Sequence, residues 1–113
     1  MMYPEEQINE LKEEIGPGVR VFDESGYSYI YIPGLKTPSG CTPERTDALL
    51  CPQPHSGYPS RLFFKDRIQT SKTLNWNGQA YVLGHQWHAF SYNHVQNMSL
   101  LAMVMNHLRG LVA

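Results

Sequence analysis

Cysteine is scarce in this sequence of 113 residues, which contains only Cys41 and Cys51. Two cysteines in a chain of this size do not make the disulfide framework of a small secreted domain. Long apolar runs are also missing, because no stretch approaches the ~18–20 residues that a membrane-spanning helix needs. The acidic N-terminus lacks a basic region followed by an apolar one, so we expect no signal peptide, no membrane partner and a cytoplasmic location.

An excess of positive charge is missing as well, since the net charge is −1. This value argues against general nucleic-acid binding. Residues 1–60 carry nine acids and four bases, whereas residues 61–113 carry one acid and five bases. A weakly basic C-terminal half would suit an acidic partner, although a solvated surface is the simpler explanation. The length and the apolar share of 42% predict one domain over residues 1–113.

Helical periodicity is present near both ends of the chain. Apolar residues such as Ile8 and Leu11 recur at spacings of three and four within Pro4–Ile15, which predicts a first helix. A broader apolar stripe predicts a second helix over Met98–Val112, with Asn97 as its N-cap. We expect this second helix to pack against a sheet.

Four strands are predicted between these helices, at Val19–Asp23, Tyr27–Ile32, Glu44–Cys51 and Arg61–Phe64. Short links favour antiparallel pairing of the strands, hence an α+β class. The second strand places Tyr27, Tyr29 and Tyr31 on one face, which we interpret as half of a sandwich of sheet and helix. The intervening segments are interpreted as a loop at Pro33–Pro43, an irregular segment at Lys65–Gln79, a short apolar piece of uncertain type at Ala80–Leu83 and a packed loop at Gly84–His94.

The stretch Leu49–Phe64 is predicted to form a strand, a rigid turn and a second strand. Its three prolines lack an N–H group and cannot lie inside a central ladder. Cys51 and His55 suggest a thiol–imidazole pair, although a buried Cys51 at a strand end is the more common arrangement. Cys41 lies in a Pro-Ser-Gly-Cys loop, where we expect it to be exposed.

The order of these elements resembles the ubiquitin-conjugating (E2) superfamily. The residues that carry the resemblance are the corner Gly57-Tyr58-Pro59, the segment Asn75-Trp76-Asn77-Gly78, Trp87 and the final helix. The chain is most similar to the bacterial branch called prokaryotic E2 family E. Its matching stretches are Ile32-Pro33-Gly34, Pro38-Ser39-Gly40-Cys41, Thr46-Asp47-Ala48-Leu49-Leu50 and the WHAFSY segment from Trp87 to Tyr92. The resemblance covers Val19 to Leu111 and implies a UBC-like fold.

The E2 reaction passes a ubiquitin-like tail through a cysteine thioester, but this chain has no cysteine after residue 51. If Asn77-Gly78 is laid on the Asn-Gly that often precedes the E2 cysteine, Tyr81 takes the place of the nucleophile. A phenol with an ordinary pKa of ~10 is a poor replacement. The resemblance therefore implies a catalytically inactive E2-like protein that binds a ubiquitin-like protein or an E1-like enzyme in a bacterial ubiquitin-like modification system. The alternatives are an active transferase with Cys41 or Cys51 as a displaced nucleophile, and a histidine-centred metal-dependent enzyme.

The segment that would hold the E2 active site provides the candidate functional surface. Its residues are Asn75, Trp76, Asn77, Tyr81, His85, His88 and His94. If the segment were helical, His85 and His88 would share one face, and a metal site would take a third ligand from His94 or Asp66. We nevertheless expect neither a metal nor another cofactor. Tyr58 and Pro59 define the corner and are assigned a structural role. Trp87 and Phe90 are expected in the core, with Trp76 more exposed.

Overall fold

Two helices and six strands form the fold in the computed structural model, which describes residues 3–93 and 95–113. In chain order they are α1 (Glu5–Glu14), β1 (Arg20–Glu24), β2 (Tyr27–Lys36), β3 (Arg45–Cys51), β4 (Arg61–Phe64), β5 (Gly78–Val82), β6 (His85–Ala89) and α2 (Leu100–Arg109). All strand pairs are antiparallel, in the order β1-β2-β3-β4-β6-β5. The predicted α+β class and the antiparallel pairing are confirmed. The predicted count of four strands is wrong, because the sheet has six.

The two helices lie where the periodicity predicts them. Two glutamates, Glu5 and Glu6, occupy the first turn of α1, where negative charge favours the helix dipole. The N-cap of α2 is Ser99, whose Oγ accepts a hydrogen bond from the Ala102 N–H at 3.2 Å. The predicted cap Asn97 is wrong, since this residue lies two positions earlier with a φ of 57°. Each helix has ten residues, and no helix in the described part of the chain is long and apolar enough to cross a membrane.

Strand β2 continues four residues beyond the predicted end at Ile32, into the region predicted as a loop. A β-bulge between Ile32 and Leu35 makes this possible. The bulge accommodates Pro33, which has no N–H for the ladder, and Gly34, which has a φ of 64°. The Gly34 N–H is satisfied instead by the Asp47 carboxylate, at 3.0 Å. The predicted loop at Pro33–Pro43 therefore begins too early.

Strands β5 and β6 form a hairpin, and β6 lies where a packed loop was predicted for Gly84–His94. Leu83 and Gly84 form its two-residue turn, with φ values of 54° and 71°. Positive φ at both positions is the geometry that joins two twisted strands tightly. Asparagine or aspartate normally marks the first position, so the leucine concealed the turn.

The two faces of the sheet are packed differently. One face carries α1 and α2 over aliphatic residues such as Ile30 and Leu50. The other face encloses an aromatic cluster, in which Tyr29 is only 1% exposed and lies with Phe63 and Trp87. Burial of the central tyrosine of the predicted row is confirmed. The predicted partner is wrong, because the tyrosines face this cluster and not the helices.

The sheet is strongly curled, so that its two edge strands approach each other. The rings of Tyr31 on β2 and Trp87 on β6 lie 6.5 Å apart edge to face, although two strands separate them in the sheet order. At the hairpin tips, the Glu24 carboxylate accepts a hydrogen bond from the Leu83 N–H at 3.3 Å. The curl brings the β5–β6 hairpin over the aromatic cluster and places its outer face in solvent.

Candidate functional site

The Tyr-Pro corner is a tight turn closed by the backbone. The N–H of His55 donates to the Tyr58 carbonyl at 2.9 Å, and the N–H of Tyr58 donates to the His55 carbonyl at 3.0 Å. Ser56 and Gly57 lie between them with φ values of 52° and 87°. Pro59 follows at once and leads into β4. This geometry fits the structural role predicted for Tyr58 and Pro59, and it also fixes the direction of the Tyr58 side chain.

The phenol oxygen of Tyr58 lies between two polar side chains from distant parts of the sequence. Asn77 Nδ2 donates to it at 2.9 Å, and Ser91 Oγ lies 2.7 Å away. Asn77 directly precedes β5, and Ser91 follows β6. Their segments are held together by the Ser91 N–H, which donates to the Asn75 carbonyl at 2.7 Å. The hairpin therefore carries Asn77 and Ser91 to the corner as one unit.

A buried guanidinium lies directly beneath the Tyr58 ring. Arg61 is 2% exposed, and its Cζ is 4.1 Å from the centroid of that ring. Its Nη2 donates to Asn77 Oδ1 at 2.7 Å and to the Phe90 carbonyl at 3.1 Å, both neutral acceptors. The opposite side is closed by Gly78, where a Cβ would lie 2.6 Å from the Arg61 Cζ. Only glycine leaves room for the guanidinium in this position.

The charge of Arg61 acts on several neighbouring groups. Burial lowers the pKa of Arg61 itself. The hydrogen bonds with Ser91 and Asn77 lower the pKa of the Tyr58 phenol, burial opposes them with a smaller effect, and the Arg61 charge adds the smallest lowering. The pKa of the His55 imidazole is lowered mainly by burial and also by the Arg61 charge. The hydrogen bonds therefore make the Tyr58 phenol more acidic than an ordinary phenol.

The outer face of the β5–β6 hairpin contains two of the remaining predicted residues, Tyr81 and His88. Tyr81 is 67% exposed, and its hydroxyl donates to the Gly84 carbonyl at 3.1 Å. Across the hairpin, Gln86 Nε2 donates to Gln79 Oε1 at 3.0 Å. His88, opposite Gln79, is half-buried, and its Nδ1 is buried without a hydrogen-bond partner. Tyr81 is therefore accessible to another protein.

His85 and His88 lie on a strand, not on a helix. Three residues apart on a strand, they point to opposite faces. His85 Nε2 lies 3.2 Å from the Lys65 carbonyl, and its ring packs edge-on against Trp87 at 5.7 Å. Across residues 3–93 and 95–113, no three histidine, cysteine or acidic side chains are placed to hold a metal ion. The predicted His94 lies outside the described residues.

Trp76 packs on the helix side of the sheet. Its ring lies 6.0 Å from that of Phe64 and 5.5 Å from that of Phe90, both in edge-to-face geometry. Trp76 is half-buried, whereas Trp87 and Phe90 are 3% and 4% exposed, so the predicted ranking is confirmed. Asn75 exposes its side chain and uses its carbonyl to accept from the Asn77 and Ser91 N–H groups. Both residues shape the segment that carries Asn77.

Both cysteines are buried. Cys51 is 0% exposed, and burial raises the pKa of its thiol to about 11. The thiol–imidazole pair does not form, because the Cys51 Sγ contacts the Gln53 carbonyl at 3.7 Å while His55 Nδ1 lies 2.9 Å from Ser56 Oγ. The predicted exposure of Cys41 is wrong. This residue is 6% exposed because the Pro38 carbonyl accepts from its N–H and turns it into the helix-side core.

A serine–histidine contact connects β4 to α2 and was not predicted. Ser60 Oγ donates to the Val95 carbonyl at 2.5 Å and lies 3.0 Å from His107 Nε2. His107 is 3% exposed, and burial, with a smaller effect of the Arg61 charge, lowers its pKa to about 4. A neutral imidazole that donates to Ser60 fits this geometry, since the serine proton is already directed at Val95. The contact therefore ties the last helix to the sheet.

Sequence reasoning named Tyr58 and Asn77 but missed Arg61 and Ser91. A signal was present for Arg61, because it is a lone charge at the start of the apolar strand RLFF, on the same face as Phe63. Ser91 carried no comparable signal. Comparison of the chain with family models, with curated proteins and with solved structures gives no match. The case for a function therefore rests on the residues themselves.

Proposed function

We propose that this chain is a non-catalytic E2-like protein that binds a ubiquitin-like protein, or an E1-like enzyme, in a bacterial ubiquitin-like modification system. The observation that carries the proposal is the burial of both thiols, at 6% exposure for Cys41 and 0% for Cys51. A thioester intermediate needs an accessible thiolate, which neither position offers. A binding role keeps the E2-like order of elements and does not require that intermediate.

The arrangement of elements supports the proposal. A helix, an antiparallel meander, a Tyr-Pro corner after β3 and a final helix follow one another as the resemblance implies. The segment assigned to the E2 nucleophile is a regular hairpin, β5–β6. At the aligned position Tyr81 projects into solvent, and its hydroxyl is bonded to the carbonyl of Gly84. A hairpin with an exposed aromatic residue suits contact with a protein surface better than acyl transfer.

The β5–β6 hairpin is the surface that we assign to the partner. Tyr81 and Leu83, two residues apart at the end of the hairpin, are large apolar residues that are 67% and 45% exposed. The polar residues Gln79 and Gln86 lie next to Tyr81 on the same face. An aromatic anchor surrounded by polar groups is the usual composition of an interface hot spot.

The second candidate function is an active transferase with Cys41 as the nucleophile. One observation favours it, because Cys41 lines a hollow of about 350 Å³ together with Lys36 and Glu44. An opening movement of the Pro38–Cys41 turn would expose the thiol. The two candidate functions differ in one observable, a reducible covalent adduct.

The deciding experiment uses a bacterial ubiquitin-like protein and its E1-like activating enzyme. The purified chain is incubated with both proteins and ATP, and the products are separated with and without reductant. Calorimetry measures the non-covalent affinity for each protein separately. We expect measurable affinity for at least one of them and no reducible adduct. A reducible adduct that disappears in the Cys41→Ser variant would establish the transferase instead, and absence of binding to both proteins would refute the proposal.

A Tyr81→Ser variant tests the assigned surface. If Tyr81 anchors the partner, its loss should weaken binding about tenfold or more, as expected for a hot-spot aromatic residue. The matched control is Val21→Ser, on the β1 edge, where the side chain is 38% exposed. The control should leave the dissociation constant nearly unchanged. Equal effects of the two substitutions would place the interface elsewhere.

A further inference from the structure

The Tyr58 phenol has different neighbours from the phenols of Tyr3, Tyr29 and Tyr31, and its pKa shifts in the opposite direction. Tyr3 donates its proton to the Ser28 carbonyl, and burial raises its pKa to about 12. Burial also raises the pKa of Tyr29 to about 12, and burial together with Asp47 raises that of Tyr31. Tyr58 instead receives hydrogen bonds from Asn77 and lies over the Arg61 cation.

A relay of polarised groups leads from Arg61 to the Tyr58 oxygen. The guanidinium donates to the Asn77 carbonyl oxygen at 2.7 Å, and the amide of the same side chain donates to Tyr58 Oη at 2.9 Å. A cation on the carbonyl oxygen polarises the amide and makes its N–H a stronger donor. Ser91 Oγ, at 2.7 Å from Oη, supplies a second contact. Both contacts stabilise negative charge on the phenol oxygen.

The Arg61 guanidinium also lies against the face of the Tyr58 ring. The Arg61 Cζ lies 4.1 Å from the ring centroid and is buried, so its field is weakly screened. This cation has no carboxylate partner in the described part of the chain, where its polar contacts are to Asn77 and Phe90. Ionisation of Tyr58 would place an anion beside a buried cation whose hydrogen-bond partners are otherwise neutral.

We propose that Tyr58 is a nucleophilic tyrosine whose phenol oxygen accepts an acyl group from a small activated acyl donor. In the reaction the phenolate oxygen attacks the carbonyl carbon of the donor, and a C–O ester bond forms. The bond between that carbon and the leaving group breaks, and the leaving group keeps the electron pair. The phenol proton passes to the leaving group through solvent. No atom changes oxidation state, and the reaction does not depend on the binding role proposed above.

The chain contains its own reference phenol in Tyr81. Tyr81 is 67% exposed, and its hydroxyl donates to the Gly84 carbonyl, whereas the Tyr58 oxygen accepts from Asn77. Exposure alone would make Tyr81 the faster of the two to react. Faster reaction at the half-buried Tyr58 would instead require activation by Asn77, Ser91 and Arg61.

The test is brief treatment of the full chain with N-acetylimidazole at neutral pH, followed by peptide mapping by mass spectrometry. We expect acetylation of Tyr58 to be about three- to tenfold faster than that of Tyr81, because the fraction of phenolate at a fixed pH rises as the phenol becomes more acidic. Equal rates, or a faster rate at Tyr81, would overturn the proposal.

Two variants separate activation from simple access. Asn77→Asp keeps an acceptor for Arg61 but replaces the donor to Tyr58 by a carboxylate, so the Tyr58 rate should fall to the Tyr81 rate or below. Ser91→Ala removes one contact at an exposed position and should give an intermediate rate. Tyr81 is the internal standard in each sample, and an unlabelled Tyr29 verifies that the chain is folded. An unchanged Tyr58 rate in both folded variants would also overturn the proposal.

Discussion

The two faces of the sheet show two ways of filling a core. Among the residues that the structure describes, the helix side is a cluster of eighteen buried residues, mostly aliphatic, to which both helices contribute. Within the same described residues, the curled side holds seven, and its aromatic rings belong to strands. The smaller cluster excludes water because the sheet bends around it. Arg61 lies at the border of these clusters, because it begins β4 on the same face as Phe63 and donates to the carbonyl of Phe90, which belongs to the helix side.

Two neighbouring phenylalanines allow the faces to be compared directly. Phe63 points to the curled side and Phe64 to the helix side, and both are 0% exposed. Replacing either by alanine should cost about 3–5 kcal/mol of unfolding free energy. We expect similar losses, because each substitution removes two ring contacts, those of Phe64 with Trp76 and Phe90 and those of Phe63 with Tyr29 and His55. Urea unfolding measures both values, and a loss below about 1 kcal/mol for Phe63→Ala would show that the curled side is loosely packed.

The His107 contact predicts a pH dependence of stability. The unfolded imidazole has its ordinary pKa of 6.5, whereas the folded one has a pKa of about 4. Between these values protons bind preferentially to the unfolded chain, so stability falls as the pH drops from about 6.5 to about 4. This shift corresponds to about 3 kcal/mol from His107.

A His107→Gln variant isolates that contribution. The variant should lose about 3 kcal/mol less than the parent over the same pH range, because glutamine does not titrate. The lowered pKa of His55 acts equally on both proteins and cancels in the difference. Unfolding curves at a series of pH values provide the measurement. Parallel pH profiles of the two proteins would contradict a neutral His107 in the folded state.

The Gly78→Ala variant tests how tightly Arg61 is packed at the border between the two clusters. A Cβ at Gly78 would lie 2.6 Å from the Arg61 Cζ and would force the guanidinium to move, at a cost of about 1–3 kcal/mol. Gly16→Ala is the matched control, because in the described part of the chain no atom other than those of the adjacent residues lies within 4 Å of the Cβ position there. Thermal unfolding compares the two variants. Equal melting temperatures would show that Arg61 has room to shift.

The fold could be predicted from the sequence where one periodicity dominates. The stripes in Pro4–Ile15 and Met98–Val112 predicted both helices, and alternation in Tyr27–Ile32 predicted β2. The β5–β6 hairpin was missed because its turn begins with Leu83 at a φ of 54°, a conformation that leucine rarely adopts. Tertiary packing determined this turn, so local sequence did not reveal it.

The candidate site could be predicted only in part. Tyr58 and Asn77 were both singled out, but the first for the corner and the second for the E2-like segment. Their contact depends on the hairpin that carries Asn77 and Ser91 to Arg61. These contacts join residues sixteen to thirty-three positions apart in the chain. They follow from the order of the strands in the sheet, so no local sequence pattern predicts them. The resemblance to the E2 superfamily stays a prediction.

The hydrogen bond from the Leu83 N–H to Glu24 has a consequence for the behaviour of many copies in solution. Edge strands expose unpaired backbone groups, and such edges are where sheets of separate molecules join into aggregates. In this chain the tips of the two edge strands β1 and β5 are held against each other by that bond. The bond satisfies one backbone N–H beside the β5 edge and places the Glu24 carboxylate there. Because charge at an edge strand disfavours pairing with a second copy, we expect the curl to reduce growth by strand addition at this point.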